Sequence, residues 1–227
     1  MTFSISARCE RTGQFGVAVS SSSPAVAARC AHARAGVGAV ATQNVTDPTI
    51  GPKGLALMAE GLSAEDALER IKATSAHIDY RQIAFVDRHG LSAVHSGAQA
   101  LGTYGALAFK NGAVAGNMLR DLDVLKAMHD FFEKSEGADL GDRLIGAMLA
   151  GLAAGGEEGP VHSAGLVIVR EVAWPVADLR VDWHEDDPVG ALAELWERWK
   201  PQLEAYVTRA LDPTKAPSYG CPATSDS

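Results

Sequence analysis

The chain opens Met1-Thr2-Phe3-Ser4-Ile5-Ser6-Ala7-Arg8. Its alternation predicts a β-strand from the first residues, with Phe3, Ile5 and Ala7 on one face and Thr2, Ser4 and Ser6 on the other. The first residues of a chain are ordinarily loose, so a strand that starts at once needs a reason. Removal of Met1, expected before a small residue such as Thr, supplies one. Thr2 would then carry a hydroxyl and a free α-amine together. An α-amine titrates near roughly 8, so it is available as a neutral base close to physiological pH. It can take the hydroxyl proton directly or through one water, which makes an activated nucleophile. The plainer alternative is that Thr2 only begins an edge strand.

The residues that follow extend the strand pattern. A second strand is expected over 15–20, hairpinned to the first across Glu10-Arg11-Thr12-Gly13-Gln14. The stretch 25–34 fits helix or strand and is read as strand, because the glycine-spaced run 36–42 beyond it has the look of a buried partner. A short helix stopped by Gly61 follows. Ser63-Ala64-Glu65-Asp66 resembles a capping box with Asp where Glu or Gln is usual, and opens another helix. Strands return at 82–86 and 91–95. A further hairpin spans 106–115 with Asn111-Gly112 as its turn. Helices are expected at 124–134 and 140–154, strands at 163–169 and 179–183, and a helix over 191–211 interrupted at Pro201. Hairpins dominate this order, so the sheets should be largely antiparallel. Two helix pairs separated by hairpins suit an α+β architecture of two stacked sheets with helices outside. No boundary is visible before 211, giving one expected domain over 1–211 and an extended tail over 212–227.

Composition narrows the function. A chain of 227 residues with 47% hydrophobic content is globular. Its net charge of −8 and lack of a basic stripe argue against nucleic acid as a partner. No apolar run is long enough to span a membrane and no secretory signal is expected. Cys9, Cys30 and Cys221 form no metal or redox pattern, which fits a cytoplasmic location.

Several stretches carry a resemblance: the opening strand, Gly16-Val17-Ala18-Val19-Ser20, the run 33–43, Gly51-Pro52-Lys53-Gly54-Leu55, Ala115-Gly116-Asn117-Met118-Leu119, His162-Ser163-Ala164-Gly165-Leu166, Asp178-Leu179-Arg180-Val181-Asp182 and Ala216-Pro217-Ser218-Tyr219-Gly220. Together with a strand that begins at a potential Thr nucleophile, they make the chain similar to the N-terminal nucleophile (Ntn) hydrolases. Within these it resembles most the domain of unknown function 1028 family. The resemblance implies a four-layer αββα sandwich and no cofactor. It also implies roles for particular residues. Arg34 resembles in position the third-strand Lys of proteasome-like Ntn hydrolases. It cannot act as a base, but its planar fork could hold an oxyanion or a substrate carboxylate. Thr42-Gln43-Asn44 follows the fourth strand, where Ntn enzymes place an oxyanion-hole N–H, and Asn117 could add a side-chain donor. Ser20, Ser21 and Ser22 stand where the same pattern has an Asp. Ser20 and Ser22, with Gln43, are then expected to line the substrate.

Two other groups of residues are read structurally. His162-Ser163 lacks a nucleophile elbow. The acidic stretch 182–187 is expected to be a solvated loop, not a cation site. The function expected is hydrolysis of an amide bond in a small molecule or short peptide, by a protein that could be a homo-oligomer. The alternative is a non-catalytic relative of the same fold that binds a metabolite or partner.

Overall fold

The computed structural model describes residues 1–217. The expectation for the tail beyond 217, with Cys221, lies outside them.

The alternation in the first residues folds as predicted. Strand β1 (Thr2–Arg8) and strand β2 (Phe15–Ser21) form an antiparallel hairpin in which Thr2 faces Ser21. Next come α1 (Ala27–Cys30), β3 (Ala31–Arg34), β4 (Gly38–Asn44), α2 (Ile50–Ala59) and α3 (Ala64–Thr74). After these run β5 (Arg81–Asp87), β6 (Ser92–Ser96), β7 (Gly105–Phe109), β8 (Gly112–Asn117), α4 (Asp123–Lys134) and α5 (Leu140–Ala153). The chain closes with β9 (Ser163–Val169), β10 (Ala177–Val181), α6 (Pro188–Trp199) and α7 (Leu203–Leu211), the last two separated by a 3-10 turn over 200–202 that contains Pro201.

Six strands form the larger sheet in the order β10-β9-β2-β1-β8-β7, and four form the smaller in the order β3-β4-β5-β6. Every pairing is antiparallel. Phe3, Ile5 and Ala7 of β1 pack under α4, α5 and α6 against Met128, Phe132, Leu144 and Trp196. Burial of each large side chain there is worth about 1.5–3 kcal/mol. On the other side, α2 and α3 cover Val40, Ile83 and Phe85 of the smaller sheet. Helix α2 comes so close that a Cβ on Gly54 would stand 2.3 Å from the Phe85 ring. Between the sheets lies a thin layer of small residues, including Val17, Ala39, Ala41, Ala84, Ala113 and Ala115. The result is the αββα sandwich expected from the hairpins and helix pairs. Among the described residues no helix is long and apolar enough to cross a membrane.

The structure departs from the sequence reading in three places. The stretch 25–34 is not one strand: it makes a helical turn first and extends only from Ala31. Arg29 folds back on that turn, donating to the carbonyls of Pro24 and Ala25. Phe109 pairs with Gly112, so the hairpin loop is Lys110-Asn111, with Asn111 taking the positive φ of +64° and Gly112 beginning β8. Ser63 does cap α3, accepting from the Asp66 N–H at 3.1 Å. The Asp66 carboxylate takes the Ser63 hydroxyl at 2.7 Å, whereas a full capping box sends a longer Glu or Gln back to the N-cap amide.

Candidate active site at the Thr2 end of the sandwich

Thr2 lies in the middle of the larger sheet, between Ser21 of β2 and Asn117 of β8, and only 6% of it is exposed. Its Oγ1 donates to the Met1 carbonyl oxygen at 2.5 Å. Ser21 Oγ donates to the same oxygen at 2.6 Å and stands 3.2 Å from Thr2 Oγ1. Two hydroxyls therefore converge on one carbonyl. Behind Ser21 the hydroxyls continue to Ser23 at 2.9 Å, and Arg29 Nη2 donates to Ser23 Oγ. A guanidinium that never loses its charge thus ends a chain of hydroxyls leading to Thr2. Ser163 fixes the serine loop, donating from Oγ to the Ser23 carbonyl at 2.6 Å and accepting from Val26 N. His162 donates its backbone N–H to Ser21 O, and its ring stacks on Trp183 with centroids 4.4 Å apart.

A network of buried side-chain amides lies beneath Thr2. Ser4 Oγ donates to Gln43 Oε1 at 2.6 Å, and Gln43 Nε2 donates to Gln82 Oε1 at 2.7 Å. Asn117 Nδ2 donates to the same Gln82 oxygen at 3.2 Å. Gln82 Nε2 in turn faces Ser96 Oγ and the carbonyls of Gly105 and Gly116. Asn117 Oδ1 is buried without a partner, the one acceptor of this network left open beside Thr2. Gln82 has the strongest position here and no sequence motif marks it; a Gln inside an otherwise apolar strand is the only hint.

Glu157 completes this end. It sits on the loop after α5 and is held by a β-bridge to Leu119 and by Glu158 N–H donating to Met118 O. It is 6% exposed, and neither carboxylate oxygen has a partner in hydrogen-bond geometry. Burial pushes its pKa up to about 8, against the opposing pull of the N-terminal amine and the Ser22 backbone N–H.

The structure distributes the expected site residues unevenly. Thr2, Gln43 and Asn117 come together, and Ser22 is half-buried on the loop after β2. Ser20 Oγ is committed to Ser163 O at 3.1 Å. Asn44, with φ +69°, uses both ends of its amide on the loops, at Tyr80 O and Leu101 N. Arg34 pairs with Gly38, while Gln43 and Asn44 mark the Thr2 end of β4. Five residues of strand, roughly 16 Å at about 3.3 Å per residue, keep Arg34 from Thr2. Arg34 is kept there by the β3–β4 hairpin turn, where it faces Gly38, whereas the helical turn of α1 carries Arg29 onto Ser23, so Arg29 is the arginine linked to Thr2 through hydroxyls. The acidic loop is occupied locally, with Asp182 on Arg180, Asp187 capping α6 at Gly190 N–H, and His184 accepting from two backbone amides. Among the described residues no cluster of His, Cys, Asp and Glu could hold a metal ion.

The protein SPO2555 from Silicibacter pomeroyi, a solved structure of the DUF1028 family, superposes with a TM-score of 0.80 at 30% identity, over 87% of this chain and 88% of that one. Anbu (ancestral beta-subunit) from Yersinia bercovieri aligns over 90% of this chain and 97% of its own at 10% identity, with a TM-score of 0.36. The Anbu (Gly-1) mutant from Hyphomicrobium sp. strain MC1 aligns over 97% and 100% at 11% identity, with a TM-score of 0.40. Likenesses that loose carry neither fold nor function across. No curated protein matches the chain. The family of unknown function DUF1028 matches residues 2–192, from Thr2 into α6, and the chain belongs to that family.

Proposed function

We propose that the protein hydrolyses an amide bond of a small molecule or short peptide, with Thr2 as the nucleophile once Met1 has been removed. The observation that carries this reading is the convergence of Thr2 Oγ1 and Ser21 Oγ on one carbonyl oxygen. In a chain beginning at Thr2 that oxygen is gone, and the two hydroxyls are left facing the place where a carbonyl was held. Thr2 Oγ1 adds to the substrate carbonyl carbon while its proton passes to the freed Thr2 amine. The C–N bond breaks, the leaving nitrogen takes that proton, and an ester on Thr2 remains. Water then cleaves the ester and restores the hydroxyl. Ser21 Oγ–H supports the developing oxyanion, and Arg29 polarises Ser21 through Ser23. The reading needs no cofactor, and a homo-oligomer in the cytoplasm belongs to it as an expectation.

A second reading, binding without catalysis, draws on a different observation. With Met1 in place, its carbonyl satisfies both hydroxyls and the α-amine stands one residue away from Thr2. The test begins with intact mass. A protein short by one methionine, cleaving amides in the wild type and not as Thr2→Ala, supports the hydrolase. A protein that keeps Met1 in its host leaves the binding reading.

A further inference from the structure

Arg143 brings a positive charge into the interior with no carboxylate paired to it. It stands near the start of α5, only 5% exposed, and its guanidinium carbon lies 3.7 Å above the centre of the Phe132 ring. Nη2 donates at 2.9 Å to the Phe132 carbonyl, one of the last carbonyls of α4. That is its one hydrogen bond among the described residues, and Nε is buried without a partner. Arginine cannot shed its proton, so the charge stays.

The guanidinium borders a cavity of about 120 Å³, several times the space that one water needs. The other charged groups around this cavity fall into two sets. Lys110 pairs with Glu10 at 2.8 Å, and Arg11 pairs with Asp139 at 3.9 Å. Glu133 and Glu136 also line the cavity, and both are exposed. Neither has an ion pair or hydrogen bond among the described residues. With the paired groups set aside, one guanidinium remains at the buried side and two carboxylates remain at the exposed side. A simple ion meets half of this pattern. An inorganic anion would satisfy Arg143 and face two carboxylates, and a cation would do the reverse. A zwitterion satisfies both sides.

We propose that this cavity binds a small free α-amino acid, its carboxylate on the Arg143 guanidinium and its ammonium toward Glu133 and Glu136. A carboxylate suits a fork whose plane is fixed by the Phe132 ring, because it can take two parallel N–H bonds. The volume admits an amino acid about the size of glycine or alanine. The site stands apart from the Thr2 centre. Cys9, which also lines the cavity, follows the last residue of β1, roughly 20 Å along the strand from Thr2. Amino-acid binding here is independent of the hydrolase reading.

The probes are glycine, acetate and methylamine, titrated calorimetrically onto the full-length chain. Glycine is expected to bind at least about tenfold more tightly than either fragment. Glu133→Gln combined with Glu136→Gln changes only exposed side chains, so circular dichroism should stay the same while glycine falls to the level of acetate. Arg143→Lys keeps the charge and loses the fork, and should weaken glycine by about tenfold. Because that change also removes the bond to Phe132, the guanidinium is followed directly in the wild type. With isotope-labelled arginine, the Arg143 Nε–H resonance should move on adding glycine and stay in place with methylamine. Thr2→Ala should bind glycine as the wild type does. Acetate or methylamine binding as tightly as glycine overturns the proposal. So does an unmoved Nε–H resonance, a glycine affinity untouched by the paired Gln substitutions, loss of glycine binding in Thr2→Ala, or no binding of glycine at all.

Discussion

The space between the two sheets has two unlike ends. Along most of its length it is apolar and lined chiefly by Ala and Val, with Phe15 at one margin and the buried Ser6 hydroxyl its one polar exception, and the small side chains let the sheets meet closely. At the Thr2 end the same gap holds Ser4, Gln43, Gln82 and Asn117, all buried and joined by hydrogen bonds. The apolar layer is tolerant chemically and strict about volume. The polar end is strict about partners, because each buried donor or acceptor left unpaired costs about 1–3 kcal/mol. A protein that needed only the sandwich could have carried the apolar layer through to the edge. Polar groups packed at one end are the kind of arrangement that holds a reactive site in place.

The contrast can be broken experimentally. The largest effect expected is from Thr2→Ala in protein beginning at residue 2, which should lower amide turnover by about 10⁴-fold in initial-rate assays. Residual activity within tenfold of wild type would move the chemistry elsewhere. Next, Gln82→Leu orphans Gln43 Nε2, Asn117 Nδ2 and two carbonyls, and should cost about 4 kcal/mol in urea unfolding. Ala84→Leu, which overfills the apolar layer, should cost about 2 kcal/mol. A reversed order would mean the polar end is loosely held.

A smaller effect appears in the pH dependence of stability. Glu157 has a folded pKa of about 8 against 4.5 for a free side chain. Below pH 4.5 both states hold the proton. Between 4.5 and 8 the unfolded chain releases it and the folded one does not, so stability falls as pH rises through that window. Glu157→Gln should flatten this slope. It should match wild type near pH 4 and exceed it at pH 9 by a few kcal/mol, on the order of the shift itself. The smallest effects compare two arginines. Arg29→Ala should reduce kcat/KM by about tenfold, or about 1.4 kcal/mol, through Ser23 and Ser21, while Arg34→Ala should change it by less than about twofold.

The fold was legible where a pattern repeats. Alternation in β1 separated Phe3, Ile5 and Ala7 from Ser4 and Ser6, and hairpin spacing gave the antiparallel sheets. Thr2, Gln43 and Asn117 meet at one end of the sandwich, as their places at strand ends led one to expect. Position along a strand was less legible. The β3–β4 hairpin turn holds Arg34 at the far end of the smaller sheet, while the helical turn of α1 brings Arg29 to Ser23 on the Thr2 side. Glu157 could not be read at all: within Gly155-Gly156-Glu157-Glu158-Gly159-Pro160 its neighbours describe a solvated loop. The bridge to Leu119 and the flanking backbone bonds to Met118 and Arg120 hold it in the interior.

The pairing of Thr2 with Asn117 has a consequence in time. Strand β1 cannot complete its place in the sheet until β8 exists, and residue 163 must be made before β9 closes the other side of β2. At roughly 5–20 residues per second, synthesis leaves the first residues without those partners for several seconds or more. An aminopeptidase meets Met1 as a loose end during that interval. Once the sandwich closes, the Met1 carbonyl is tied by two hydroxyls and its side chain rests on Gly159. Removal of Met1 is therefore expected to be faster from the nascent chain than from the folded protein.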